Sequence, residues 1–379
     1  CSVGCNLFLS ERGGRLRRAQ NRYHGDLNGY FLCDRGRFGP LFVESSARLK
    51  SPLIGGVRAG TAEALAAAKA AIAEGAIGVG SPRASLEANF ALRRLVGPEN
   101  FFAGVSDAEA RAVRRMAEIL RGGPARIASV KDVETADAAL VLGEDLTGTA
   151  PRLALALRQA SKGAADALAE EKGVPAWLAN AARVAGEGRR SPIAIVTPLP
   201  DALDDIASPA LRRAPHKIAD FGFEVAAALE GRRAGKAAGE VAEALAAAEA
   251  PLVIAGLGLG APDALEAAAA IAAALGPKAR IALMPPEANS LGLALLGAEG
   301  LESAAEALER GPRTAIVLET DPALRAAPET IARLAAAKIV ALDHLATPVA
   351  EAAAVALPVA SFAEAAGTWI NFEGRAQRA

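Results

Sequence analysis

The chain has 379 residues, enough to bury a large core and to form more than one domain. Its hydrophobic fraction is 52%, but alanine supplies much of it, and the richest apolar run, at 267–275, is too short to span a bilayer. With 42 basic and 43 acidic side chains the formal charge is −1, which leaves no global field to attract nucleic acid.

Cys1, Cys5 and Cys33 are the only cysteines, and all lie at the start of the chain. An odd, sparse set does not build a secreted disulfide scaffold, so a reducing compartment is expected. The chain shows no charged leader followed by an apolar segment. It opens on a cysteine without an initiator Met, and we read it as an internal piece of a longer protein. Residues 1–55 are loop-rich, with glycines at 4, 13, 14, 25, 29, 36 and 39. Basic side chains cluster there at Arg12, Arg15, Arg17, Arg18, Arg22, Arg35 and Arg37. They could meet a neighbouring protein, offset the charge of a metal site, or simply be solvated.

Beyond this stretch the pattern becomes alternating helix and strand. Thr61 starts a helix over 61–74, Gly75 ends it, and 76–80 reads as a buried strand. Ser81 or Ser85 starts the next helix, which ends near Gly97-Pro98. A helix over 107–121 precedes a Gly122-Gly123-Pro124 turn. Strands follow at 138–143, 192–197, 252–255, 280–284, 315–319, 338–343 and 355–359. Helices are expected over 152–161, 224–230, 237–249, 264–275, 301–310 and 328–336, with connections at 183–190 and 198–215. Apolar strands separated by helices indicate parallel sheets covered on both faces. The fold class is therefore α/β, with two doubly wound, mostly parallel, Rossmann-like domains after the cysteine-bearing start.

The cysteine spacing, three residues between Cys1 and Cys5 and 27 between Cys5 and Cys33, suits a thiolate-held metal centre. Iron–sulfur cages draw ligands from a tight loop plus one distant cysteine, with small neighbours such as Ser2, Gly4 and Gly36. The spacing leaves three readings open: an iron–sulfur cluster, a zinc site with His24 as a fourth ligand, or ordinary buried thiols.

These residues also carry a resemblance. Cys1-Ser-Val-Gly-Cys-Asn6, Leu16-Arg-Arg18, Asn21-Arg-Tyr23 and Asn28-Gly-Tyr-Phe-Leu-Cys-Asp-Arg-Gly-Arg-Phe-Gly39 resemble the G subunit of bacterial NADH-quinone oxidoreductase, the respiratory complex I. So do 78–93, 140–147 with 154–160, 203–207, 360–364 and 367–377, so the resemblance runs from end to end. It implies a 4Fe-4S cluster bound by Cys-x2-Cys-x3-Cys-x27-Cys. Cys1, Cys5 and Cys33 would be the last three ligands, the first lying three positions before Cys1. In this family the cluster is a distal one, apart from the main electron path.

The resemblance further implies the fold of molybdopterin oxidoreductases of the formate dehydrogenase and DMSO reductase type. The implied domains are an iron–sulfur domain at 1–55, a discontinuous α/β domain at 56–104 and 250–379, and an inserted α/β domain at 105–249. The intact complex would pass electrons from NADH through flavin and iron–sulfur clusters to quinone, coupled to ion translocation. Its setting would be the cytoplasmic side of the bacterial inner membrane, peripheral and without a span. Partners would be other peripheral-arm subunits, including the flavin- and NADH-binding one. No catalytic residue and no functional molybdopterin are expected in this piece. No cysteine follows Cys33 to ligate a pterin metal, Arg35 stands where pterin enzymes often place lysine, and Glu144-Asp145 replaces a Gly-Ser-Asn-type turn. An active molybdopterin or tungstopterin oxidoreductase and a zinc-stabilised interaction module are the alternatives.

Smaller signals point less far. Gly256-Leu-Gly-Leu-Gly260 sits between a strand and a helix, but its spacing is G-x-G-x-G without an acidic residue about 20 positions on, so it reads as a plain tight turn. His24, His216 and His344 are isolated and suit surface or capping roles. Glu319-Thr-Asp321 and Asp343-His344 fall at strand ends, where capping or a vestigial crevice would explain them.

Overall fold

The structure is a computed structural model describing residues 1–123 and 125–378; Pro124, placed by the sequence in a turn, and Ala379 lie outside the described residues. The strands in chain order begin with β1 Leu7–Glu11, β2 Leu16–Asn21, β3 Leu53–Ile54, β4 Val57–Arg58, β5 Ala76–Val79 and β6 Phe101–Phe102. They continue with β7 Arg126–Ile127, β8 Ala138–Leu142, β9 Ile193–Thr197, β10 Ala210–Arg212, β11 Pro251–Gly256 and β12 Arg280–Met284. The last are β13 Thr314–Leu318, β14 Lys338–Asp343, β15 Val355–Pro358, β16 Thr368–Ile370 and β17 Ala376–Arg378. Among the described residues no helix is long and apolar enough to cross a membrane.

The chain divides into two compact units. The first comprises 1–6, 21–33 and 118–286. Its six-stranded sheet has the order β10-β9-β8-β11-β12-β7, and every pairing is parallel. Residues on β8, β9 and β11 are buried at every position, as a sheet covered on both faces demands. The strand order reverses between β8 and β11, since β8 leads outward to β9 and β10 while β11 leads to β12 on the other side. The alanine-rich composition also finds its reason here. Helix Pro215–Leu229 meets helix Ala264–Leu275 so closely that a Cβ on Gly222 would lie 2.7 Å from the Cβ of Ala267. Larger side chains on either helix would push the pair apart.

The second unit comprises 7–20, 34–117 and 287–379. Its sheet has the order β4-β3-β15-β14-β13-β5-β6, parallel from β15 to β6 with antiparallel pairs only at the β3 and β4 edge. Here the reversal falls between β5 and β13. Helix Leu86–Val96 is capped by Ser85, whose hydroxyl oxygen accepts the Ala88 amide hydrogen bond at 3.1 Å, which settles the choice between Ser81 and Ser85.

Both doubly wound sheets form as expected, but the domain edges differ from the sequence reading. That reading places β11 and β12 with 250–379, yet β11 pairs with β8, so the boundary falls near 286. Residues 1–55 are shared between the two units and form no separate one. Strand pairing is non-local and decides the first of these outcomes. The expected helix at 224–230 begins at Pro215, whose ring suits the first helical turn. The connection read at 198–215 contains β10, and that at 183–190 overlaps helix Ala179–Ala185.

Candidate metal centre

The three cysteines all belong to the first unit and form no disulfide. Cys1 is exposed, while Cys5 and Cys33 are half-buried. Gly4, with φ 75°, supplies the left-handed turn between Cys1 and Cys5 that a side chain would strain.

Asn28 organises this loop. It is wholly buried, and its Oδ1 accepts the Asn6 amide hydrogen bond at 3.0 Å. Its Nδ2 donates to the carbonyls of Arg22 at 3.1 Å and Asn6 at 3.2 Å, and to the Asn21 side chain. Asn21 Nδ2 in turn donates to the Gly29 carbonyl at 3.2 Å. One amide side chain thus joins the residue after Cys5 to the loop before Cys33. The Tyr23 and Tyr30 rings pack at 4.7 Å on the same loop, although both residues are exposed.

The electrostatics single out Cys5. Burial first, and the neighbouring Cys33 second, push its thiol up to about 11, with Arg152 acting in the opposite direction. Cys5 and Cys33 are therefore close enough to sense each other's charge. Arg152 lies at the start of helix Pro151–Ala160, is 8% exposed, and its guanidinium carbon lies 5.7 Å from the centroid of the Phe31 ring. Its Nη2 stands 3.7 Å from Glu134, while Nε and Nη1 are buried with no hydrogen-bond partner among the described residues. Buried donors on a cation are costly unless an anion faces them.

These features fit the chemistry of a thiolate-held cluster. Such a cage carries net negative charge, and a buried guanidinium within electrostatic reach of Cys5 would offset it. The count of ligands is smaller than the cage requires. Among the described residues no group of three or more His, Cys, Asp or Glu side chains is arranged to hold a metal ion. The backbone of His24 pairs with Gly29, and its Nδ1 is buried without a partner among the described residues. The seven arginines named from the sequence are all exposed, in keeping with a solvated face. The sequence reading passes over Arg152. Its signal is a lone charge at the start of an otherwise apolar helical stripe containing Leu153, Ala156 and Leu157.

Elsewhere, Asp321 caps a short turn through the Ala323 amide at 3.0 Å, as capping predicts; Asp343 instead accepts from the His344 amide at 2.7 Å, and the helix that follows is capped by Thr347.

Residues 1–45 match the molybdopterin oxidoreductase Fe4S4 domain. Over its full length the chain is 43% identical, across 395 aligned residues, to the G subunit of NADH-quinone oxidoreductase from Pseudomonas fluorescens. It is 39% identical, across 404, to the protein of the same name in Escherichia coli O6:H1. In both cases it spans 44% of the relative's length, so the relatives are more than twice as long. Among solved structures, acetylene hydratase from Pelobacter acetylenicus aligns with a TM-score of 0.63 at 13% identity, covering 99% of this chain and 64% of that one. A chain of the formyltransferase/hydrolase complex from Methylorubrum extorquens aligns with a TM-score of 0.60 at 17% identity, covering 87% and 92% respectively. At these identities the two structures speak for the fold alone.

Proposed function

We propose that this chain, homologous from end to end to a segment of the G subunit of NADH-quinone oxidoreductase, is the distal-cluster and scaffold part of that iron–sulfur protein. In this reading Cys1, Cys5 and Cys33 hold a 4Fe-4S cluster, with a fourth thiolate supplied from outside these residues. When bound, the cluster supplies one-electron transfer. The chain's own residues do the rest. Asn28 fixes the loop that carries Cys5 and leads to Cys33, and Arg152 offsets the charge of the thiolates. The burial that raises the Cys5 thiol keeps it protonated until a metal displaces the proton. The two α/β units are the scaffold, contributing no acid, base or nucleophile. The whole assembly would pass electrons from NADH to a quinone in the peripheral arm of complex I, on the cytoplasmic side of the membrane, beside the flavin-bearing subunit.

The observation that carries this reading is the buried, donor-bearing Arg152 within electrostatic reach of Cys5, in a chain whose first 45 residues match an Fe4S4 domain. The test is metal and sulfide analysis of the anaerobically purified, full-length protein. Iron and acid-labile sulfide should fall together by one 4Fe-4S complement in Cys33→Ala, with loss of one electron paramagnetic resonance signal. Stoichiometric molybdenum or tungsten with a bound pterin would overturn the scaffold reading in favour of an active pterin enzyme. Zinc without sulfide would overturn the cluster.

A further inference from the structure

The six-stranded sheet reverses its strand order between β8 and β11. In open parallel sheets the loops part at such a point and leave a crevice at the carboxyl ends of the strands, where ligands bind. The loop after β11 is the glycine turn 256–260, which runs toward helix Ala264–Leu275. A glycine turn between a strand and a helix start is where backbone N–H groups receive phosphate oxygens. In this chain another group already stands there.

Gly143, at φ 64°, turns the chain after β8 and sends Glu144 into the turn. Glu144 is 1% exposed. Its Oε2 accepts the Gly258 N–H hydrogen bond at 3.0 Å, and its Oε1 accepts from the Thr149 hydroxyl at 2.7 Å. A Cβ on Gly256 would lie 1.8 Å from Oε2, and one on Gly258 would lie 2.3 Å from Oε1. The glycines are thus required by the carboxylate itself, which explains a glycine turn lacking the rest of the dinucleotide pattern. Burial pushes the Glu144 carboxyl above its usual range, opposed by its two hydrogen bonds. Asp145, next in the chain, pushes it the same way, so a second carboxylate lies within electrostatic reach of Glu144.

We propose that the Glu144 carboxylate is an internal anion filling the phosphate place of the 256–260 turn, so that the switch-point crevice of this sheet is held shut against phosphorylated ligands. The chemistry is like for like: two carboxylate oxygens take the N–H and O–H donors that phosphate oxygens would otherwise take. Removing the side chain frees both the Gly258 N–H and the space beside Gly256. This holds whether or not the cysteines carry a cluster.

The experiment titrates inorganic pyrophosphate into the purified protein by calorimetry, with hydrogen–deuterium exchange followed at 257–260. Wild type should take up none. Glu144→Gln, of the same shape, should also take up none. Glu144→Ser should expose the 257–260 amides and bind pyrophosphate at least about tenfold more tightly than the weakest affinity the titration detects, and binding should restore their protection. Pyrophosphate uptake by wild type or by Glu144→Gln with protection at 257–260 would show the place is not filled. A Glu144→Ser chain that keeps its circular dichroism spectrum yet binds nothing would equally overturn the proposal. Should Glu144→Ser fail to fold, Glu144→Asn, uncharged and one methylene shorter so that it is drawn back from Gly258, is held to the same two outcomes.

Discussion

Asn28 and Asn6 hold each other through a two-way bond: the Asn6 amide donates to Asn28 Oδ1 at 3.0 Å, and Asn28 Nδ2 donates to the Asn6 carbonyl at 3.2 Å. Asn28 is completely buried, so its loss cannot be repaired by bulk water. Asn28→Ala should destabilise the first unit by about 3 kcal/mol, the cost of stranding several buried backbone groups. Asn28→Asp keeps the acceptor for Asn6 but turns a buried carboxylate oxygen toward the Asn6 and Arg22 carbonyls, and should cost at least as much as Asn28→Ala. Urea midpoints give the energies. Iron retention after gel filtration tests the functional side, and Asn28→Ala should lose iron while all three cysteines remain.

A second expectation concerns the Cys5 thiol. Burial beside Cys33 raises it from 9.0 to about 11. A raised folded value means that the native state holds its proton more tightly than the unfolded chain. The associated stability is complete below about pH 9 and is lost as pH rises through about 11. Alkylation requires the thiolate. In metal-free protein, Cys5 should therefore react with iodoacetamide far more slowly than exposed Cys1 at pH 8, its rate still climbing past pH 10. Mass spectrometry of the labelled peptides resolves the two. Equal rates at pH 8 would mean that Cys5 is not buried as described.

Much of the fold is readable because two-sided burial writes a continuous apolar run into each central strand; β8, β11 and β13 stand out for that reason. Which sheet a strand joins is not local information. The β11 run looks like that of β13, and only its register against β8, Ala255 opposite Leu142, assigns it to the first unit. Helix Gly163–Glu171 leaves no sequence signal because it buries only Ala169, too little to print a periodic stripe. At the metal centre, spacing alone leaves zinc and iron–sulfur open, and the resemblance favours the latter. Neither reveals Arg152, whose proximity to Cys5 is created by folding.

The second unit carries its own carboxylate at its own reversal point. Glu319 follows β13 in a left-handed conformation, φ 42°, and the Ser81 hydroxyl, after β5, donates to its carbonyl at 2.9 Å. Burial and the nearby Asp343 push the Glu319 carboxyl up to about 7, against Arg83. His344 Nδ1 lies 3.8 Å from Glu319 and 3.7 Å from Asp343, and burial holds that imidazole below its usual range despite Asp343 and Glu364. Below about pH 4.5 Glu319 is protonated whether the chain is folded or not, and Glu319→Gln should be neutral. Between about 4.5 and 7 the unfolded chain ionises while the folded one keeps its proton, so wild type loses stability with rising pH. Above about pH 7 Glu319→Gln should be the more stable by about 3 kcal/mol. Urea denaturation at about pH 4 and about pH 8 measures the difference, and a pH-independent gap would contradict the assignment.

Asn289 tests the other end of the chain. The hairpin of β16 and β17 has only two strands, a size that is marginal in isolation, so its order must come from what it touches. Asn289 is fully buried; its Oδ1 accepts the Ile370 amide at 3.0 Å and its Nδ2 donates to the Ala84 carbonyl at 2.8 Å. It thus ties β16 to the turn that starts helix Leu86–Val96. Glu87 helps at the surface, accepting from the Thr368 amide at 2.8 Å and hydroxyl at 2.6 Å. The buried link should dominate, because an orphaned buried group has no water to turn to and an exposed one does. Asn289→Ala should cost about 3 kcal/mol and speed exchange of the 368–370 amides while leaving β13 protected. Glu87→Gln should cost under about 1 kcal/mol and leave that exchange nearly unchanged. If the two variants loosen the hairpin equally, the anchor is the surface contact and Asn289 is only a filler of space.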